Sequence, residues 1–358
     1  MVLFVKYKNG INNSMSKVIT FGEIMLRLAS EGYYRFVQAN SYGATYGGGE
    51  ANVAVSLAGF GIDAGFVTKL PKHEIGQAAV NRLREFGVDT SLIVRGGDRV
   101  GIYFLEKGAS QRPSKVIYDR AHSAIAVASE SDFDWDSIFK GVKWFHFTGI
   151  TPALSDSAAA ITLAACKAAR ANGVTVSCDL NYRANLWSRE KAGQVMGKLM
   201  EYVDLCISNE EDAHDVFGIK ASGSDVTKGE ISHDGYKEVA SALIKRFGFK
   251  QVAITLRESI SANDNNWGAM LCTTNAGEPS FFFSKKYSVH IVDRVGGGDS
   301  FGAGLIYANL TDMPSQEGLE FAVAASCLKH TIEGDFNLVS ADEVKKLASG
   351  NASGRVQR

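Results

Sequence analysis

The chain has 358 residues, 45% of them hydrophobic and 22% charged, with 38 Lys and Arg against 39 Asp and Glu. This composition excludes a disordered or low-complexity chain, and a formal net charge of −1 leaves no electrostatic footprint for nucleic acid or an anionic membrane surface. No apolar run reaches the ~20 residues of a membrane span, so composition points to a soluble protein acting on small molecules.

In chain order, residues 1–16 read as an N-terminal extension. The apolar piece Val2–Val5 is too short for a signal peptide, and Met15, just before the first core strand from Lys17, is the expected native start. Gly65–Leu70 reads as a strand and His73–Phe86 as a helix with Ile75, Ala79, Leu83 and Phe86 on one face. Lys143–Thr148 reads as a strand. The helix Ser155–Ala171 follows, and Asn172-Gly173 should end it in left-handed geometry. Val174–Cys178, Asp204–Ser208 and Gln251–Leu256 read as further strands with helical stretches between them. Helices over Ser300–Leu310, Ser315–Thr331 and Ala341–Ala348 follow. Runs such as Val174–Cys178 do not alternate, as expected of parallel strands buried on both faces. The fold class is therefore α/β, mostly parallel, with helices on both sides of the sheet.

Two stretches break the rhythm. Residues 24–46 and 91–120 hold strand-like runs (Ser91–Val94, Gly101–Glu106, Lys115–Tyr118) with little helix, and they read as a small β-rich lid inserted into one domain spanning 17–350. Residues 219–234 read as a polar surface loop and 351–358 as a tail. The five cysteines are odd in number and widely spaced, which fits reduced core residues of a cytosolic protein.

The strongest chemical signal is Asp293-Arg294-Val295-Gly296-Gly297-Gly298-Asp299-Ser300-Phe301-Gly302-Ala303-Gly304, after a strand at Ser288–Val292 and before an apolar helix. Glycines entering a helix present unpaired N–H groups and the positive end of its dipole, which together bind anions such as phosphate. As an isolated residue, Asp299 would be read as an N-cap, but a cap does not require three preceding glycines. No Walker A loop is present, because the only Gly-Lys pair is followed by Leu199. The glycine spacing and its late position disfavour a dinucleotide fingerprint, and HRD, DFG and HExxH motifs are missing. A second glycine run, Gly47-Gly48-Gly49-Glu50-Ala51-Asn52, also enters a helix. Alone it is equally explained by close helix–sheet packing.

Together, Gly-Gly-x-x-x-Asn and Asp-x-x-Gly-Gly-Gly-Asp closely resemble the ribokinase-like (PfkB) sugar kinases, over about Lys17 to Ala348. The resemblance implies a three-layer fold with a mostly parallel central sheet and a β-lid. It also implies a phosphotransferase that uses ATP and Mg²⁺. Carried over, Asp299 is the catalytic base, Gly296, Gly297 and Gly298 form the anion hole, and Gly48, Gly49 and Asn52 hold the sugar. Ser208-Asn209-Glu210-Glu211-Asp212 resembles the family's Asn-x-x-Glu motif, which helps place Mg²⁺ and phosphates. Asp212 stands where Glu is usual, so the choice between Glu210 and Asp212 stays open.

Within the family, Asp179-Leu180-Asn181-Tyr182-Arg183, Val116-Ile117-Tyr118-Asp119-Arg120 and Gly334-Asp335-Phe336-Asn337 resemble the 2-keto-3-deoxygluconate kinases. This likeness puts Tyr103, Tyr118, Arg120, Arg183 and Asp335 at the substrate, and Asn181, Arg183 and Asn209 at the nucleotide. Arg183 is thus assigned to either end. A sugar acid suits arginine, whose planar fork matches a carboxylate. The rival readings are a fructokinase or another neutral-sugar kinase, or a non-catalytic sugar sensor. Exposed lid strands could pair across a homodimer.

Overall fold

The computed structural model describes residues 18–209, 211–221, 233–275 and 277–350. The expected N-terminal extension and C-terminal tail, Glu210, and residues 222–232 of the expected surface loop lie outside the described residues.

The chain enters with β1 (Val18–Phe21), buried at every position. Its side chains alternate between two separate cores, Val18 joining one and Ile19 and Phe21 the other, as a strand covered on both faces must do. β2 (Met25–Ser30) and β3 (Tyr42–Gly47) then leave the central layer. α1 (Gly49–Gly59) and β4 (Ala64–Val67) return to it. β5 (Lys69–Leu70), α2 (Glu74–Glu85), β6 (Val94–Arg95), β7 (Ile102–Glu106) and β8 (Lys115–Asp119) follow. α3 (Trp135–Ile138), β9 (Trp144–Thr148), α4 (Ile150–Ala153), α5 (Asp156–Ala171), β10 (Thr175–Asp179), α6 (Arg189–Met200), β11 (Leu205–Ser208), α7 (Asp212–Phe217), α8 (His233–Phe247) and β12 (Gln251–Ser259) continue the alternation. The chain closes with β13 (Asp264–Asn275), β14 (Glu278–Phe283), β15 (Tyr287–His290), α9 (Gly297–Leu310), α10 (Ser315–Lys329) and α11 (Ala341–Ala348).

The large sheet has the order β14-β13-β12-β11-β10-β9-β1-β4, with β15 also on β13. It is parallel from β12 to β4 and antiparallel at the β13–β14 edge. One face carries α1, α2, α9, α10 and α11. The other carries α3, α5, α6 and α8, which completes three layers. α1 is buried from Glu50 to Leu57 and contributes Val53, Val55 and Leu57 to the core, each at most 1% exposed. Each such side chain contributes about 1.5–3 kcal/mol of burial. Helix punctuation follows local chemistry. Ser155 caps α5 by accepting from the Ala158 N–H, and Gly173 ends it at φ +69°.

The lid is a second sheet of order β3-β2-β7-β8, antiparallel except for the β2–β7 pair. Met25, Tyr103 and Leu105 on its inner face pack with Val295 of the glycine loop, while β8 is exposed at all five positions. Three sequence expectations change, the first being the single strand read at Gly65–Leu70, which divides into β4 and β5 in different sheets. The Ser91–Val94 run is not part of the lid, because its observed strand, β6, pairs in parallel with β5 beside the main sheet. Ile75 is 48% exposed rather than facing the core, because the face that α2 buries is made by Gly76, Ala79, Val80 and Leu83. The hairpin β13–β14 is an element that the sequence reading did not resolve. All five cysteines are unpaired, and no helix among the described residues is long and apolar enough to cross a membrane.

Candidate active site

A cleft of about 470 Å³ lies between the lid and the C-terminal ends of β10, β11 and β12, the end of a parallel sheet where ligands bind in open α/β folds. The two glycine runs meet at its floor. Gly48 approaches β1's exit so closely that a Cβ there would lie 1.9 Å from the Glu23 carbonyl oxygen, which excludes any side chain. The Gly48 N–H donates to Asn52 Oδ1 at 3.2 Å, and Asn52 Nδ2 donates to Asp299 Oδ2 at 2.7 Å. Asn52 therefore bridges the helix entrances of α1 and α9, its orientation fixed by both bonds.

Gly296 turns the chain into α9 at φ +84°, and a Cβ would lie 2.0 Å from the Asp335 carbonyl oxygen. Both facts require glycine. The Gly297 N–H is taken by the Arg294 carbonyl at 3.4 Å, and Gly297 is buried against the His330 ring. The first-turn N–H groups left for an anion are those of Gly298 and Asp299, where a helix has no internal acceptors. Asp299 is half-buried, with a side facing the cleft. Burial pushes its carboxyl up to about 7; the Asn52 bond and Arg183 lower it, and Glu50 and Asp335 raise it further. Glu50 is buried beneath it, accepting from the Thr148 N–H and the hydroxyls of Thr148 and Thr151 at 2.7–3.1 Å. Burial raises the Glu50 carboxyl as well.

The lid end of the cleft carries a buried polar network. Asp335 accepts from Arg27 Nη1 at 2.8 Å and from the Tyr103 hydroxyl at 2.6 and 2.7 Å. The other arm of Arg27, Nη2, pairs with Asp293 Oδ2. Burial by itself would lower the Arg27 pKa, but Asp293, Tyr103 and Asp335 together raise it. Burial, then Asp335, holds the Tyr103 hydroxyl well above the usual phenol range. Tyr118 lines the same end, with the Arg120 guanidinium 5.4 Å over its ring. Arg120 is buried and gives both Nε and Nη2 to Glu23 Oε2. The Glu23 Oε1 atom is buried without a hydrogen-bond partner.

The opposite end is built from Asn181, Arg183, Asn209, Asp212, Arg257, Trp267 and Arg294. Asn181 adopts φ +40°, and Arg183 Nη1 donates to the Tyr182 carbonyl at 2.9 Å. Asn209 Oδ1 accepts from the N–H groups of Glu211 and Asp212 at 2.8 Å, so it fixes the start of α7. Asp212 Oδ1 accepts from the Tyr182 N–H at 3.2 Å. Asp179, at the tip of β10, is raised well above the usual carboxylate range by burial and then by Asp212 and Asp299, a concentration of negative charge calling for a cation. Trp267 Nε1 and Asn265 Oδ1 are buried without partners on the same cleft wall.

Every expected site residue within the described residues lines this cleft except Gly297, whose N–H is used in the turn. The structure adds four residues that motif spacing did not reveal: Glu23, Arg27, Glu50 and Asp293 as an ion-pair partner. Arg27 was detectable as the single charge in the strand Leu26-Arg27-Leu28, on the inward face with Met25. Glu23 carried no such mark.

A family model described as pfkB family carbohydrate kinase matches residues 15–339. The chain is 55% identical to a crystal structure of 2-dehydro-3-deoxygluconokinase from Thermotoga maritima, covering 94% of this chain and 100% of that one, with a TM-score of 0.88. It is 30% identical to a 2-dehydro-3-deoxygalactonokinase of Haloferax volcanii over 95% of this chain and 98% of the relative. It is 27% identical to a 2-dehydro-3-deoxygluconokinase of Bacillus subtilis over 92% and 94%.

Proposed function

Because this chain belongs to the pfkB family of carbohydrate kinases, we propose that it transfers the γ-phosphoryl group of ATP to the terminal hydroxyl of a sugar acid, 2-keto-3-deoxygluconate, giving 2-keto-3-deoxy-6-phosphogluconate. The observation that carries the chemistry is Asp299, held by Asn52 at 2.7 Å beside the first-turn N–H groups of α9, with its carboxyl near 7. A base matched to neutral pH takes the hydroxyl proton as the oxygen attacks the γ-phosphorus, and the bond to the bridging oxygen breaks to leave ADP. The Gly298 and Asp299 N–H groups receive charge on the transferring group without reorganising.

The sugar stands at the lid end, with Tyr118, Arg120 and Gly49 around it, and the nucleotide at the Asn181–Asp212 end. The name and 55% identity of the Thermotoga relative support an acid substrate, as does Arg120 at the lid end of the cleft. Magnesium, when bound with ATP, neutralises phosphate charge. Among the described residues no cluster of three His, Cys, Asp or Glu could hold a metal ion. That fits an ion carried by phosphates and meeting the protein through one or two carboxylates, of which Asp212 faces the correct end.

The test is ADP release measured with 2-keto-3-deoxygluconate, its C4 epimer, fructose, ribose and gluconate. A keto-deoxy acid should give the highest kcat/KM. A higher value for fructose would overturn the acid assignment, and no ADP release with any sugar would favour a sensor.

A further inference from the structure

Lys329, the last residue of α10, is 0% exposed and is among the largest fully buried side chains of the protein. Burying an ammonium group costs several kcal/mol unless charge and hydrogen bonds compensate. Its one hydrogen bond runs from Nζ to the Ile332 carbonyl at 3.0 Å, and it takes part in no ion pair among the described residues. Its chain passes directly behind the glycine turn: a Cβ on Gly296 would lie 3.2 Å from Lys329 Cε. Nothing in the core requires a charge at this position, since Ala325 and Phe321 on the same helix are simple apolar residues.

Burial lowers the Lys329 pKa below the usual lysine range; Asp293 before the turn and Asp335 after α10 oppose that most, Arg27 from β2 adds to it, and Asp299 opposes it more weakly. The neighbouring His330 ring is kept neutral, its pKa lowered to about 4 chiefly by burial. Arg27 bonds directly to Asp293 and Asp335, so their charges are compensated by contact. Among the described residues no cation is in contact with Asp299. It faces Glu50 and Asn52 from α1, Asp179 and Arg183 from the β10 side and Asp335 from the C-terminal loop.

We propose that Lys329 is a positioning residue for phosphoryl transfer, an internal cation seated behind the Gly296 turn that steadies the glycine loop and favours the carboxylate form of Asp299. It touches neither sugar nor nucleotide. The inference rests on the kinase reading with Asp299 as base, and it adds the reason a lysine is kept where an apolar side chain would pack.

The experiment compares Lys329→Met, of similar length and uncharged, with Lys329→Gln, Asp299→Asn and the unsubstituted enzyme. Folding is checked by circular dichroism, and kcat and kcat/KM are followed from pH 5.5 to 9. In Lys329→Met the acid limb of kcat/KM should move up by about 0.5–1 pH unit, as loss of a nearby opposite charge requires. The kcat at neutral pH should fall roughly tenfold with the sugar KM changed less than about twofold, the pattern of a lost transition-state interaction. Lys329→Gln should reproduce the shift, and it carries the test if the Met variant does not fold. A folded Lys329→Met or Lys329→Gln enzyme whose acid limb stays in place overturns the proposal and leaves the kinase reading intact. A fully active Asp299→Asn enzyme overturns the base assignment itself.

Discussion

Replacing Asp299 by Asn should damage catalysis and strengthen the fold in the same molecule. The side chain keeps its shape, and its amide oxygen can still accept from Asn52 Nδ2, which now bonds Asp299 Oδ2 at 2.7 Å. Loss of the proton acceptor should lower kcat by at least ~10². The stability effect follows from the carboxyl being raised from 3.8 to about 7 by burial. In the unfolded chain it ionises near its ordinary value. Between roughly pH 4 and 7 the folded state therefore binds the extra proton, and stability falls as pH rises. A shift of about 3 pH units corresponds to about 4 kcal/mol once the group is ionised in both states. Asn escapes that penalty, so the variant's advantage in urea unfolding should be about 2 kcal/mol at pH 5 and about 4 kcal/mol at pH 8. Groups common to both proteins cancel in the difference. A stability difference that does not change with pH would refute the electrostatic argument, and retention of more than a tenth of kcat would refute the role as base.

The other expectations concern the loop and the arginines. Gly296→Ala should cost at least ~2 kcal/mol of stability and abolish activity, since it meets both a left-handed φ and the Asp335 carbonyl. Gly298→Ala has nothing within 4 Å of the new methyl; an unchanged melting temperature with a raised KM for ATP is expected, and unchanged ATP kinetics would remove Gly298 from the anion hole. Glu23→Gln keeps an acceptor for Arg120 and removes the neutralising charge, so the KM for a carboxylated sugar should fall. A rise would show that Glu23 itself reads the substrate. Arg183→Ala, at the nucleotide end, should raise the KM for ATP and cost acid and neutral sugars equally, whereas a loss of about 2 kcal/mol confined to acid sugars would assign Arg183 to the substrate carboxylate.

How much of this was legible in the sequence depends on the range of the interaction. The β1, β9 and β11 strands and the α5 and α11 helices follow from local pattern and caps, and their observed bounds differ from the reading by at most a residue or two. Asn52 and Asp299 were readable because each sits in a motif, although their mutual bond joins residues far apart in the chain. Arg27 was marked as a lone charge in its strand, but its partners Asp293 and Asp335 were not readable, and neither was Glu23 as the partner of Arg120, because such pairings depend on packing. Ile75 shows the reverse failure: helical spacing alone assigns it to the core, while the buried face of α2 runs through Gly76, Ala79, Val80 and Leu83 and leaves Ile75 outside it.

Arg27 also helps to determine how the lid can move. Arg27 on β2 and Tyr103 on β7 both grip Asp335, and Arg27 grips Asp293 as well. The lid's two central strands are therefore tied to the residues on either side of the glycine turn. Separating such a buried pair without replacing its partners costs about 3–5 kcal/mol, so lifting the whole lid is expensive. At its five exposed positions β8 carries no buried ion pair, its Asp119 pairing with Arg99, and it bears Tyr118; Arg120 just beyond it stays anchored on Glu23. Opening for substrate is least costly as a movement of β8 over a fixed β2–β7 base. In that case the geometry of the anion hole and of Asp299 is already set before the sugar arrives, and substrate binding has only to order the outer strand.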